Sequence, residues 1–286
     1  MNTVNIGHQL KKTKMRYKNL EDKCRYYQGL SDYRLMPNSY VIVHCDGRSF
    51  SKLIKNRYEK PFDDDFIEIM NETARFLCKE VQGCKGAFVQ SDEISLLLTD
   101  LDGEFNSGTI FFEGRLCKMQ SIIASLATGK FNQLQMASLA DTPCSNTDLK
   151  QMMLDYKPVL FDCKAWSVGS DFNEAFCWFL YRQIDCIRNS KQQFCQTYLP
   201  HKNLLRLDTD KQVEITANES GNDWNLIPDD KKYGRFIIKT KEEFDGIDNN
   251  GDKFKYFRSV WKPVTGILLT EDNGREELKK LFLPNN

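Results

Sequence analysis

The chain has no excess charge of either sign. Forty lysines and arginines balance forty acids among 286 residues. No global field therefore marks it for nucleic acid, and any basic surface has to be local. It has no C-x-x-C pair among ten cysteines, and its three histidines (His8, His44 and His201) are not at ligand spacing. That excludes the usual structural zinc sites. No apolar run approaches the ~20 residues of a membrane helix, so no membrane partner is expected. There is no P-loop, HExxH, G-x-S-x-G or internal repeat. No secretory leader is visible, and several cysteines lie in apolar runs, where a thiol behaves as a small hydrophobe. The expectation is a reducing, cytoplasmic setting with free thiols. What remains is ordinary globular composition, 41% hydrophobic and 28% charged.

The informative stretch is Tyr40–Asp100. Tyr40-Val41-Ile42-Val43 runs into His44-Cys45-Asp46-Gly47. Ala87-Phe88-Val89 runs into Gln90-Ser91-Asp92-Glu93, and Ile94–Leu98 leaves again as a strand. Branched and aromatic side chains suit a pleated surface, so both halves predict strands. Between them Phe66, Ile69, Met70, Ala74, Leu77 and Val81 recur at helical spacing, predicting a helix over 63–81 with acids in its first turn. If strands one and three are neighbours, Asp46 and the Asp92-Glu93 pair share one end of the sheet. Crowded carboxylates stay anionic only with cations between them, and oxygen-only ligands suit Mg²⁺. Two such ions clamp an in-line attack at phosphorus. The residues alone also allow the plainer alternative, that DG and SDE are turn residues.

Farther along, Lys11–Lys18 is a basic segment, either phosphate-binding or a solvated face. Residues 17–27 could form a short helix. Arg48–Leu53 is a polar and basic turn or short helix, and Lys60 lies in the loop that Pro61 closes before the helix. Residues 100–108 are turn-rich. A second helix is expected over 113–132, with Arg115 and Lys118 three apart on one face. Residues 158–166 predict a strand. A long third helix is expected over 170–198, capped by Ser170, with an apolar stripe through Phe172, Phe176, Phe179, Leu180, Ile184, Ile187 and Phe194. Strands are expected near 232–239 and 261–269, a turn at 222–228 and a terminal helix over 276–283. Residues 248–251 imitate a calcium loop, but Gly246 and Phe257 stand at its first and last ligand positions, so a hairpin turn is expected there. The order strand-helix-strand-strand-helix-strand predicts an α+β fold with the split βαβ (ferredoxin-like) sheet, which sets strand one beside strand three. A unit over 1–166 that carries these acids and a smaller C-terminal α+β extension over 167–286 complete the expectation.

The set HCDGRSF, EKPFDDDF, QSDEISLLL, GRLCK, FDCKAW and YRQIDCIRNS resembles the tRNA(His) guanylyltransferase family, and in particular its bacterial and archaeal branch of 3′→5′ nucleotidyltransferases. The resemblance covers roughly residues 6–200, with a looser echo at WNLIPDDKKYGRF. It implies a catalytic domain like a polymerase palm. It implies activation of a tRNA 5′-monophosphate by ATP or GTP, then attack by the 3′-hydroxyl of an incoming nucleotide. It implies two Mg²⁺ ions held by Asp46, the Gly47 carbonyl, Asp92 and Glu93. Lys60 and Ser91 resemble triphosphate contacts and Asp63 a contact near the base, with Arg48 and Gln193 also on the nucleotide side. Arg115, Lys118, Lys164, Arg188 and Asn189 resemble contacts to the tRNA 5′ end. A cytoplasmic tetramer binding tRNA across subunits is the family expectation.

The departures bear on substrate. Members that read tRNA(His) carry H-I-N-N-L-Y-N in the long helix. Here the aligned residues are Ile187-Arg188-Asn189-Ser190-Lys191-Gln192-Gln193, so the histidine is gone and the final Asn is Gln193. F-D-G-R becomes Phe161-Asp162-Cys163-Lys164. The expectation is templated repair of 5′-truncated tRNAs, with addition of a single G to tRNA(His) as the alternative. Another palm-type cyclase or polymerase, or a non-catalytic RNA-binding module, are the more distant ones.

Overall fold

A computed structural model describes residues 19–101, 110–140, 145–247 and 253–284. The basic segment 11–18, most of the turn-rich 100–108 connection and the 248–251 turn lie outside the described residues.

The described elements begin with α1 (Leu20–Gly29), β1 (Tyr40–Arg48), α2 (Phe50–Arg57) and α3 (Asp64–Glu80). A tight hairpin follows, β2 (Cys84–Gln90) and β3 (Glu93–Thr99). Then come α4 (Leu116–Ala140), α5 (Asn146–Asp155), β4 (Leu160–Ser167) and α6 (Phe172–Tyr198). The chain finishes with α7 (His201–Leu204), α8 (Thr209–Ser220), α9 (Asp229–Tyr233), β5 (Arg235–Ile247), β6 (Lys253–Val264) and α10 (Gly274–Phe282). The strands form one six-stranded sheet in the order β4-β1-β3-β2-β5-β6, with every pairing antiparallel. Its first four strands have the split βαβ order, with β1 beside β3 as topology requires. The C-terminal strands join the same sheet: β5 pairs with β2, Phe236 opposite Phe88.

Strand alternation sorts β1 onto two faces. Val41, Val43 and Cys45 pack under α3 and α4 with Met70, Leu77, Ile123 and Phe131. Tyr40 and Ile42 pack on the other face with Phe172 and Phe179 of α6 and Phe282 of α10. A sheet buried on both faces gains about 1.5–3 kcal/mol per large side chain removed from water, so both helical layers are held tightly. Asp63 starts α3, its Oδ1 accepting from the Phe66 amide at 2.9 Å. The C-terminal end of α6 carries a third cluster, in which Phe194 and Cys195 meet Val213 and Trp224.

Three local expectations are corrected. Helix α6 is capped by Asp171, not Ser170, because the Asp171 carboxylate accepts from the Asn173 amide at 2.9 Å. Its buried stripe runs through Phe172, Ala175, Phe179, Gln183 and Cys186, whereas Ile184 is 51% exposed. Helix α4 starts at Leu116, so Arg115 stands before it in extended backbone and does not share a helical face with Lys118. The nine described cysteines are free, four of them buried. No described helix is long and apolar enough to cross a membrane.

Candidate active site

Antiparallel register brings the predicted acids together. Asp46 lies opposite Glu93 on β3 and opposite Asp162 on β4. Three carboxylates thus stand at one level across three adjacent strands. The β2–β3 turn closes the row from above. Ser91 holds a left-handed backbone there, with φ at 43°. Its Oγ donates to Asp92 Oδ1 at 2.9 Å. The Gly47 amide donates to the Asp92 carbonyl at 3.1 Å. A Cβ on Gly47 would fall 2.9 Å from the Asp92 Cβ and 2.3 Å from the Phe50 ring. Glycine is therefore needed where β1 meets the turn.

Burial raises the Asp46 carboxyl above its usual range, and the neighbouring Glu93 charge adds to the effect. Burial likewise pushes Asp92 up to about 6, against the opposing bond from Ser91. Desolvation and like charge disfavour the anion in both cases. Helix α6 supplies the counter-charge. Buried Arg182 donates to Glu93 Oε2 and, at 3.0 Å, to Asp185 Oδ2. Gln90 Nε2 donates to the same Glu93 oxygen at 2.7 Å. His44 is pushed down to about 4 by burial and by the Arg182 charge, and is neutral near pH 7. Its Nδ1 lies 3.0 Å from Ser95 Oγ, which also accepts from Trp178 Nε1 at 3.1 Å.

Beside the acids is a cleft of about 160 Å³. Asp63, Ser91, Asp92, Asn189 and Gln193 line it, so three segments far apart in sequence converge there. Gln193 Nε2 donates to the Pro61 carbonyl and ties α6 to the loop carrying Lys60. Lys60 itself is exposed on that loop. Arg48 ends β1 opposite Leu160, and Lys164 stands on β4 opposite His44, two places from Asp162. Arg188 and Asn189 both donate to Asp185.

Arg115 and Lys118 are elsewhere. The Leu116 amide donates to the Tyr33 carbonyl, and the Met36 amide of the same segment donates to Ser167 Oγ, which stands opposite Val41 at the start of β1. Arg115 Nε donates to Asp32 Oδ1 at 2.8 Å, and Lys118 Nζ sits 4.5 Å from the Phe112 ring centroid. Six strand steps separate Tyr40 from Asp46, so this pair stands roughly 20 Å from the acids.

Among the described residues no three His, Cys, Asp or Glu side chains are already gathered as a metal-ligand set. Glu93 is turned to Arg182 and Gln90, and Asp92 to Ser91. The donor set still fits a hard divalent cation. It is all oxygen, and burial, with neighbouring carboxylates adding to it, makes the anionic forms of Asp46 and Asp92 costly, a cost such an ion would offset.

Sequence reasoning assigned no role to Gln90, Asp162 or Arg182. Asp162 shares strand parity with Lys164, and Arg182 stands three before Asp185 on a helix, an ion-pair spacing. Both signals were present, but which acid each would face depended on the register.

The family model for tRNAHis guanylyltransferase matches residues 21–169. A probable tRNA(His) guanylyltransferase of Dictyostelium discoideum is 38% identical over 218 residues, 72% of this chain and 77% of the relative. The tRNA(His) guanylyltransferase of Schizosaccharomyces pombe is 32% identical over 249 residues, 82% of this chain and 86% of the relative. A solved bacterial tRNA(His) guanylyltransferase-like protein in complex with ATP superposes with a TM-score of 0.73 at 27% identity, covering 93% of this chain and 99% of that one. A bacterial structure of the same description holds GTP, with a TM-score of 0.64 at 26% identity. With its acids, cleft and connectivity all in place, the chain belongs to the tRNA(His) guanylyltransferase family of nucleotidyltransferases.

Proposed function

We propose that the chain extends tRNA at the 5′ end in the 3′→5′ direction, restoring nucleotides to 5′-truncated tRNAs under the guidance of the opposite strand. The observation that carries this is the convergence of Asp63, Ser91, Asp92 and Gln193 on one cleft beside the Asp46–Glu93 pair. A 5′-monophosphate is activated by ATP or GTP, and the 3′-hydroxyl of an incoming nucleotide displaces the activating group. The bacterial relatives seen with ATP and with GTP support both nucleotide classes as substrates. The split sheet supports a palm-like catalytic unit, with the C-terminal segment holding RNA.

Asp46, the Gly47 carbonyl, Asp92 and Glu93 would hold two Mg²⁺ ions, which when bound lower the pKa of an attacking hydroxyl and neutralise phosphate charge. Ser91, Lys60, Gln193 and Arg48 bind the triphosphate, and Asp63 lies near the base. Lys164, Arg188 and Asn189 face the 5′ phosphate. Arg115 and Lys118 would reach a 5′ end only from an adjacent copy, in keeping with a tetramer. Exposed Leu30, Tyr33 and Met36 offer that assembly an apolar surface.

Addition of a single G to tRNA(His) is the second reading, favoured by the activity in the relatives' names. Against it stands α6, where Ile187–Gln193 lacks the histidine and the final Asn of the motif. The deciding experiment offers a 5′-monophosphorylated tRNA lacking its first nucleotide, with Mg²⁺, ATP and all four nucleoside triphosphates, to wild type and to Asp92→Ala. Template-matched extension by wild type alone supports repair. Failure on this substrate with normal extension of tRNA(His) leaves single-G addition.

A further inference from the structure

A second polar surface lies away from the acids. It is a groove of about 750 Å³ across the outer face of α3, between α4 and the β5–β6 ribbon. Its floor includes Gly83 and Cys84, at the opposite end of β2 from Gln90. Six strand steps separate those ends, so the groove opens roughly 20 Å from Asp92.

Five cations line this groove: Arg75, Lys79, Lys130, Lys239 and Arg258. Among the described residues the one carboxylate lining it is Glu72, and that is paired with Arg75. Glu242, across the ribbon from Arg258, is paired with Lys262 at 2.5 Å. Aromatic rings are interleaved with the cations. Lys130 Nζ lies 5.6 Å from the Phe76 centroid and Lys239 Nζ 5.9 Å from that of Trp261. Phe244 lines the groove and stacks on Tyr256 at 5.9 Å, with 26° between the rings.

A chain of zero net charge has no general reason to gather five cations in one groove. Clustered like charges repel, and a polyanion bound along them removes that cost by releasing its counterions. Rings beside cations add sequence-tolerant base and sugar contacts. A nucleotide in the catalytic cleft cannot reach this groove, whereas an RNA whose 5′ end lies at Asp92 can.

We infer that this groove is an RNA-docking surface that grips the sugar-phosphate backbone of the substrate, away from the reacting end. The inference rests on the tRNA reading above and adds a surface to it. A membrane or an acidic protein would also meet cations, but neither accounts for rings alternating with them.

The test uses the full chain carrying Lys79→Glu, Lys239→Glu and Arg258→Glu, all exposed positions. A control carries Lys279→Glu and Lys280→Glu on α10, changing charge elsewhere. Circular dichroism melts establish that each variant folds. Binding of a 5′-truncated tRNA transcript is measured against salt, and ATP binding is measured separately. The expected result is at least ten-fold weaker tRNA binding for the groove variant only, a salt slope lower by about one per removed cation, and unchanged ATP binding. Ultraviolet crosslinking of wild type should label the peptides holding Phe244 or Trp261. Unchanged tRNA affinity in a folded groove variant overturns the inference while leaving the catalytic reading intact. Wild type that binds and extends no tRNA overturns both.

Discussion

The amide of Gly47 donates to the carbonyl of Asp92 at 3.1 Å, binding the end of β1 to the turn between β2 and β3. This bond brings Asp46 at the end of β1 and Asp92 of the β2–β3 turn to one place. Gly47→Ala would press a methyl into the buried Phe50 ring and against the Asp92 Cβ. Overpacking of this kind costs about 1–3 kcal/mol. Displacing Asp92 by about 1 Å should reduce nucleotide addition roughly 100-fold. A melt and a 5′-end addition assay check both; full activity would show that the close approach is unimportant.

Arg182 braces Glu93 from α6 and leaves its own Nε buried without a partner. Arg182→Met removes the brace while keeping much of the packing. The loss should be about 1–3 kcal/mol of stability, since Glu93 keeps only the Gln90 bond. Activity should drop at least ten-fold, and Arg182→Lys should restore less than half of it, because an ammonium lacks the planar fork. Urea unfolding and initial rates are the measurements.

In protein stripped of divalent ions, stability should fall as pH rises through about 6. Folding raises the Asp92 carboxyl. Its protonated form is therefore the one the fold favours, and that contribution is complete below the unfolded value near 4 and lost above about 6. Asp92→Asn should be more stable than wild type at pH 8 by about 1–3 kcal/mol, with the gap closing by pH 4. Melts across pH in chelator read this directly. Parallel curves for the two proteins would refute it.

Gln193 reaches from α6 to the Pro61 carbonyl, holding the loop beside Asp63 in position. Gln193→Ala should raise KM for the incoming nucleotide several-fold and alter kcat less, because the lost contact serves binding before chemistry. Lys60→Ala should act in the same direction. Steady-state kinetics at saturating tRNA separate the two constants. An equal fall in kcat would place Gln193 in the transition state instead.

Much of this protein is legible along the chain because the informative signals are local. The branched, aromatic and apolar runs of Tyr40–Val43 and Ile94–Leu98 and the helical spacing of Phe66–Leu77 need only neighbouring residues, and they predict β1, β3 and α3. Element order then places β1 beside β3, and with it Asp46 near Glu93. Other features depend on contacts between distant segments, which no local period encodes. Only the register sets Asp162 opposite Asp46, and only the packing of α6 directs Arg182 to Glu93. Arg115 shows the limit. Its motif suggested the catalytic end, but the bonds from Leu116 to Tyr33 and from Met36 to Ser167, opposite Val41, set it at the other end of β1. The C-terminal strands join the sheet for the same kind of reason: the free edge of β2 accepts β5, and the ribbon thus carried over α3 closes the cationic groove. Sequence determined the strands and helices and which acids they carry, because those follow from side-chain periodicity. Tertiary structure alone decided which charges face one another, because that follows from pairing between edges and faces far apart in the chain.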